Sequence, residues 1–157
     1  MRSLEAKRIA AFLVLIGFFA VDRLTKLLFI KKFPDGEFFI WPGLIKLELY
    51  YNTGIAFSLP LPAALIITAY TAILFVLIVA AANFWRRRQY LTAWLLGLVF
   101  IGGISNLIDR LRFGGVIDFI DLRFYSVFNL SDCFIVGGVL LLIYFNYFKK
   151  GGTAIAE

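Results

Sequence analysis

Three aspartates in the last third of the chain could supply acid chemistry. Asp118 and Asp121 lie between large apolar residues in the segment 116–122, and Asp132 follows in the segment 128–132. Apolar surroundings disfavour the ionised form of a carboxyl group. Two carboxyl groups that meet at such a surface cannot both ionise, so one keeps a proton and the pair can activate a water and protonate a leaving amine. Two other chemistries stay open on this evidence. Several acids could bind a divalent metal and act on phosphate, as in a lipid phosphotransferase, or a buried acid could relay protons in a small transporter.

The residue types that the chain lacks exclude several kinds of catalytic and metal site. The 157 residues include no histidine and a single cysteine, Cys133. A Ser-His-Asp triad and any metal site that needs imidazole are therefore excluded. One cysteine also excludes an internal disulfide and a thiolate metal cluster. Of the three chemistries, proteolysis by an acid pair would need carboxylates alone, without a cofactor or a metal.

Ordinary structural roles account for part of these motifs. Asn129 or Ser131 would cap a helix whose first turn contains Asp132. The glycines of 102–103 would let another helix approach closely, while Asn106, Asp109 and Arg110 share their helix face. Asn52-Thr53-Gly54 is most simply a turn. Asp118 has no evident capping role, so it is the residue that these structural roles leave unexplained.

Composition indicates the elements that must position these side chains. Apolar residues make up 62% of the chain and charged residues 17%, with a mean hydropathy of +0.89. Soluble domains are about 45–50% apolar and about 25% charged. We predict an all-α integral membrane protein, one domain over residues 1–157, with a small extracytoplasmic β or loop element. Its four transmembrane helices are predicted at about 9–30, 62–84, 91–109 and 132–148, each near the length that a bilayer requires.

The distribution of basic residues predicts the orientation. Eight of the sixteen lysines and arginines lie in three short segments at the amino terminus, the 86–88 turn and the carboxyl end. Both termini should therefore be cytoplasmic, with the outer segments at about 31–61 and 110–131. The excess charge suits anionic lipid, and we expect no nucleic-acid partner. Within the first outer segment, strands at 38–41 and 46–51 around Pro42-Gly43 predict a hairpin.

The polar residues of three predicted spans lie at one depth. Counted from the basic inner residues, Asp22 lies about 21 Å up, Asp132 about 25 Å and Asn106 about 27 Å, at a helical rise of about 1.5 Å per residue. Ionisable groups at that depth usually face a bundle interior or a wet cavity. The sequence therefore predicts one polar cluster near the outer face.

Five motifs in order resemble those of lipoprotein signal peptidase, also called signal peptidase II. They are Asp22-Arg-Leu-Thr-Lys26, Asn52-x-Gly54-x-Ala56-Phe57, Gly-Gly-x-x-Asn106-x-x-Asp109-Arg110, Val-x-Asp118-Phe119 and Phe128-Asn129-x-x-Asp132. The resemblance covers about residues 10–148. Ser131 stands where the family more often has alanine, and the segment between the two aspartates looks short.

The resemblance implies a function and a set of roles. It implies an aspartic endopeptidase that cuts bacterial prolipoproteins just before the diacylglyceryl-modified cysteine, with Asp118 and Asp132 as the catalytic pair. The supporting, substrate-binding residues that it implies are Asp22, Lys26, Asn52, Gly54, Asn106, Asp109, Arg110 and Asn129. We further expect a bacterial inner-membrane location, a monomer, and inhibition by cyclic peptide antibiotics of the globomycin type.

Overall fold

Four helices and three short strands make up the part of the chain that the structure describes. A computed structural model describes residues 2–33, 36–54, 59 and 61–148. The elements in chain order are α1 (Arg2–Lys32), β1 (Glu37–Trp41), β2 (Ile45–Asn52), α2 (Ala63–Arg86), α3 (Tyr90–Phe113), β3 (Val116–Leu122) and α4 (Leu130–Ile143), the last continued by a π-helical turn, Tyr144–Phe148. The protein is therefore mostly helical, with one small sheet.

Helix α3 is the centre of the helical part, with α2 and α4 packed on either side of it. An added Cβ at Gly102 would lie 2.6 Å from the carbonyl oxygen of Ser131 in α4, and one at Gly103 would lie 2.9 Å from Leu74 in α2. No real side chain tolerates such distances, so both neighbours approach α3 because these two positions are glycine. The predicted packing role of residues 102–103 is confirmed.

Two of the described helices are long and apolar enough to cross a membrane, α2 with a mean hydropathy of 2.6 and α3 with 1.9. The other two described helices do not meet this criterion. Helix α1 carries Asp22, Arg23 and Lys26 inside its apolar stretch, and the apolar helix at Leu130–Asn146 is shorter.

One end of the helical part is basic and aromatic. The Arg8 guanidinium of α1 donates a hydrogen bond to the Tyr90 hydroxyl over 2.5 Å and lies 5.4 Å from the Trp85 ring centre. Trp85 in turn contacts Trp94 edge-on at 5.4 Å. The amino-terminal part of α1 and the turn between α2 and α3 therefore lie at the same end, as the charge pattern predicts.

The sheet has the antiparallel order β1-β2-β3. Its first two strands form the predicted hairpin, with Gly43 at φ 78° in the turn and the Leu44 amide donating to the Trp41 carbonyl over 3.0 Å. The third strand was not predicted, because residues 110–131 were assigned to an outer loop. Asp118 therefore sits on a strand whose backbone is held by β2, with Tyr50 opposite it.

Helix α3 also extends further than predicted. It ends at Gly114, whose φ of 74° is left-handed and whose amide donates to the Arg110 carbonyl over 3.1 Å. The sequence predicts the end of this span at about residue 109, where the apolar stretch ends. In the structure the Arg110 side chain is buried against partners, so its charge does not end the helix.

Candidate active site

Asp118 of β3 and Asp132 of α4 line the same cavity, which has a volume of about 550 Å³. Asn52, Asn106 and Arg110 line it as well, so β2 and α3 complete the polar part. Strand β3 supplies Asp118, and the first turn of α4 supplies Asp132. The two acids therefore come from separate elements, 14 positions apart in the chain, and face one space.

Two amides hold the Asp118 carboxyl group. Asn129 Nδ2 donates to Asp118 Oδ1 over 2.6 Å, and Asn52 Nδ2 donates to Asp118 Oδ2 over 3.1 Å. Asp118 is 2% exposed and Asn129 is fully buried. With both oxygens held in this way, the group has one orientation in the cavity.

Asp132 is fixed by the beginning of its own helix. The Asn129 side chain accepts from the Asp132 amide over 3.0 Å, and Asp132 Oδ2 accepts from the Asn129 amide over 3.1 Å, which forms a capping box. Asn106 Nδ2 donates to the other oxygen, Oδ1, over 2.8 Å. The predicted capping role of Asn129 is confirmed, and the same residue also holds Asp118.

The pKa of Asp118 is raised from 3.8 to about 7, first by burial and then by the charge of Asp132. Hydrogen bonds from Asn52 and Asn129 favour the ionised form and lower the pKa, but they do not outweigh burial. Asp118 can therefore carry a proton near neutral pH, as one member of an acid pair must.

A buried cluster of charges lies beneath the pair. Lys26 Nζ, which is fully buried, lies 3.1 Å from Asp22 Oδ2 and 2.8 Å from Asp109 Oδ2. Asp109 also pairs with Arg23, so two cations face two anions and the cluster is neutral. Lys26 further donates to Asn106 Oδ1 over 2.9 Å, which orients the amide that contacts the Asp132 carboxylate.

Asp22 connects this cluster to α4. Its Oδ1 accepts from the Ser131 amide over 2.9 Å, and its Oδ2 accepts from the Ser105 hydroxyl over 2.6 Å. The first turn of α4 is thereby fixed to α1 and α3. The Ser131 side chain is fully buried where α4 approaches α3, so the site leaves little room for a larger residue at position 131.

Arg110 closes the polar part of the cavity on the side of α2. Its Nη2 donates to the Gly54 carbonyl over 2.7 Å, and its guanidinium lies 5.2 Å from the ring centre of Tyr70. The Gly54 amide donates to Asn52 Oδ1 over 3.1 Å. The predicted turn at Asn52 is thus present, and it aims the Asn52 amide group at Asp118.

All ten site residues predicted from sequence belong to one connected hydrogen-bond and ion-pair network. They are Asp22, Lys26, Asn52, Gly54, Asn106, Asp109, Arg110, Asp118, Asn129 and Asp132. Two further positions of the motifs, Ala56 and Phe57, lie outside the described residues. The individual roles of the ten residues stay predictions.

Sequence reasoning missed three contributors. Arg23 stands inside the motif Asp22-Arg-Leu-Thr-Lys26 but receives no role from the resemblance, although its place beside Asp22 is a usable signal. Ser105 and Tyr70 carry no signal in a single sequence, since hydroxyls and aromatic rings are common in membrane helices. Asp121, which was left out of the chemistry, lies three positions from Asp118 on β3 and is 3.4 Å from Lys46.

Within the described residues, no three histidine, cysteine or acidic side chains are placed to share a metal ion. The site is thus a pair of amide-held carboxyl groups in a helical protein with membrane-spanning character. The protein therefore belongs to the class of helical proteins of membrane-spanning character that hold two carboxyl groups in one cavity.

The comparisons with known proteins identify the family. The family model for signal peptidase (SPase) II matches residues 14–148. A lipoprotein signal peptidase of Moorella thermoacetica is 36% identical over 124 residues, which cover 78% of this chain and 83% of that one. Another from Caldicellulosiruptor bescii is 35% identical over 143 residues, 91% of this chain and 93% of that one. The chain belongs to the signal peptidase II family, whose members are peptidases.

A solved bacterial membrane enzyme, determined by the in meso method at 2.3 Å resolution, has the same fold. The TM-score is 0.77, the identity is 24%, and the match covers 94% of this chain and 93% of that one. This likeness shows that the two chains share a fold over most of their length.

Proposed function

We propose that this protein is an aspartic endopeptidase that removes the signal peptide from diacylglyceryl-modified bacterial prolipoproteins, cutting just before the lipidated cysteine. The observation that carries the proposal is the meeting of Asp118 and Asp132 in one cavity, held by Asn52, Asn106 and Asn129. Family membership supplies the substrate class.

The proposed reaction uses one protonated carboxyl group and one ionised carboxylate. Asp118, with its pKa of about 7, carries the proton and donates it to the scissile carbonyl oxygen. Asp132 is the base that takes a proton from the attacking water, whose oxygen bonds to the carbonyl carbon. When the carbon–nitrogen bond breaks, Asp132 passes its proton to the leaving amine and Asp118 recovers its own. The products are a free carboxyl end on the signal peptide and a free amine on the lipidated cysteine.

The supporting residues position the pair and the substrate. Asn106, held by Lys26, fixes the Asp132 carboxylate. Asn52 fixes Asp118, and the Arg110 guanidinium in the cavity wall offers donors for a peptide carbonyl. Arg110 cannot act as an acid or base near neutral pH, so its proposed role is in binding.

The proposed topology has four spans in the bacterial inner membrane, with both termini cytoplasmic and the site near the outer face. The contact of Arg8 with Tyr90 supports it, because it places the basic start of α1 beside the basic turn between α2 and α3. We infer a monomer, since the cavity is formed within one chain. Inhibition by globomycin-type cyclic peptides is a further prediction from the family.

The test is cleavage of a purified lipidated prolipoprotein, followed by a mobility shift on a gel. The wild type should cleave with and without EDTA. Asp118→Asn and Asp132→Asn should each abolish turnover, because each removes a proton transfer worth about 10²–10⁴-fold. Their combination should be hardly worse than either alone, since members of a catalytic unit are not additive.

Asp121→Asn is the matched control, because it removes an acid from the same strand outside the cavity. It should cleave normally. A dead Asp121→Asn beside an active Asp118→Asn would show that the wrong acid was assigned. Loss of cleavage in EDTA that a divalent ion restores would favour a metal enzyme, and flux of a solute without any cleavage would favour a transporter.

A further inference from the structure

One face of α4 continues the cavity away from the carboxylates. Cys133, Val136, Gly137 and Leu140 all line it. At about 1.5 Å per residue, Gly137 lies about 7.5 Å and Leu140 about 12 Å along the helix from Asp132. Val136 and Leu140 are 55% and 60% exposed. The cavity therefore changes from a polar end at the acids to an apolar trough along α4, with Tyr70 of α2 also in its wall.

The two neighbouring glycines of α4 serve different purposes. An added Cβ at Gly138 would lie 2.7 Å from Val99 Cγ2 and 3.3 Å from the Leu95 carbonyl oxygen, so Gly138 is required for α4 to pack on α3. An added Cβ at Gly137 would have no heavy atom within 4 Å. Packing does not require glycine at 137, and glycine is a poor residue inside a helix. Its effect is to leave a recess in the trough between Cys133, Val136 and Leu140, here called the Gly137 recess.

We propose that the Gly137 recess receives one acyl chain of the substrate's diacylglyceryl group, and that residue 137 thereby determines which acyl chains the enzyme accepts. This inference rests on the proposed function, because it takes the lipidated cysteine as the residue after the scissile bond. The glyceryl group would then begin beside Asp118 and Asp132, and its acyl chains would run from there toward the middle of the bilayer.

The shape of the recess favours an acyl chain over the helical part of a signal peptide. A helix with its side chains is about 10–12 Å across. The recess is one residue wide, because Val136 precedes Gly137 in the helix, Leu140 lies about one turn further along, and both side chains project from the helix. A single extended hydrocarbon chain fits such a space, and its burial there needs no hydrogen-bond partner.

The experiment compares Gly137→Leu with the wild type on synthetic lipopeptides that span the cleavage site. The peptides carry diacetylglyceryl cysteine, whose acyl groups are too short to reach residue 137, or dipalmitoylglyceryl cysteine, and a second pair changes alanine to leucine just before the cysteine. Gly17→Leu is the matched control, since an added Cβ at Gly17 of α1 also has no heavy atom within 4 Å and Gly17 is outside the cavity.

We expect Gly137→Leu to lower kcat/KM for the dipalmitoyl peptide at least about tenfold relative to the diacetyl peptide, since filled space in an apolar pocket discriminates by about 10–200-fold. Gly17→Leu should keep the wild-type ratio. An unchanged ratio in Gly137→Leu would overturn the inference. Discrimination by the residue before the cysteine, rather than by chain length, would also overturn it and assign the recess to the peptide. Absence of cleavage by the wild type would instead refute the proposed function.

Occupancy can be measured without turnover through Cys133, the sole cysteine of the chain, which is exposed and one helical turn from Gly137. In Asp118→Asn protein, the dipalmitoyl peptide should slow alkylation of Cys133 by N-ethylmaleimide, and the unlipidated peptide should not. Equal protection by both peptides would contradict an acyl chain in the recess.

Discussion

Asp118 should make the fold less stable as the pH rises, and Asp118→Asn should remove this effect. In the folded protein its pKa is about 7 against 3.8 for an unperturbed aspartate. Between those values the folded state keeps a proton that the unfolded state has released. Stability therefore falls as pH rises through this window, by about 1.4 kcal/mol per pH unit. From pH 5 to pH 8 the wild type should lose about 3 kcal/mol through this group alone.

The Asp118→Asn variant has no such proton, but it leaves a buried amide donor without its acceptor. Its amide nitrogen must face one of the two donors, Asn52 or Asn129, which now hold the carboxyl oxygens. An unsatisfied buried donor costs about 1–3 kcal/mol at either pH. At pH 5 the variant should thus be less stable than the wild type by about 1–3 kcal/mol, and at pH 8 it should be equally or more stable.

The measurement is equilibrium unfolding in detergent micelles at the two pH values, followed by tryptophan fluorescence. Ile117→Val is the control, because Ile117 is fully buried on the same strand and does not titrate. Its cost of about 0.5–1.5 kcal/mol should be the same at both pH values. A difference between Asp118→Asn and wild type that does not change with pH would refute the reasoning.

Three further predictions concern the pH dependence of cleavage, the buried charge cluster and the two glycines of α4. The rate of cleavage should fall as pH rises through about 7, because Asp118 must be protonated to donate to the carbonyl; a pH–rate profile that stays flat to pH 9 would contradict this. Lys26→Met should destabilise the fold by about 3–5 kcal/mol, since it leaves a buried carboxylate without its cation, and Asp22→Asn in the same chain should recover part of that loss in a double-mutant cycle. Gly138→Ala should lower the Tm because of its contact with Val99, whereas Gly137→Ala should not; the reverse order would show that the assignment of the two glycines is wrong.

The sequence predicted the helices and the site better than it predicted the strand that connects them. Hydropathy alone locates α2 and α3, and the Pro-Gly turn predicts the hairpin of β1 and β2. Strand β3 was not predicted, since the sequence of Val116–Leu122 fits an apolar loop as well as a strand when its pairing with β2 is unknown.

The site was predictable as a set of residues but not as a geometry. Depth counted along the helices brought Asp22, Asn106 and Asp132 to one level, and the family motifs added Asp118 and Asn129. No spacing rule says that one asparagine both caps α4 and holds the other acid, because that requires α4 and β3 to be adjacent. The contribution of Tyr70 could not be predicted for the same reason, since its contact with the Arg110 guanidinium depends on where the fold places Arg110.

The neutral charge cluster has a consequence for how the protein enters the membrane. In the proposed topology, α1 leaves the ribosome with Asp22, Arg23 and Lys26 and without Asp109, which follows 86 residues after its partner Arg23. Alone in lipid, α1 carries an unmatched positive charge, which is costly at that depth. Its stable integration must therefore wait until α3 has been synthesised, so that the first helix made is among the last to settle into the bilayer.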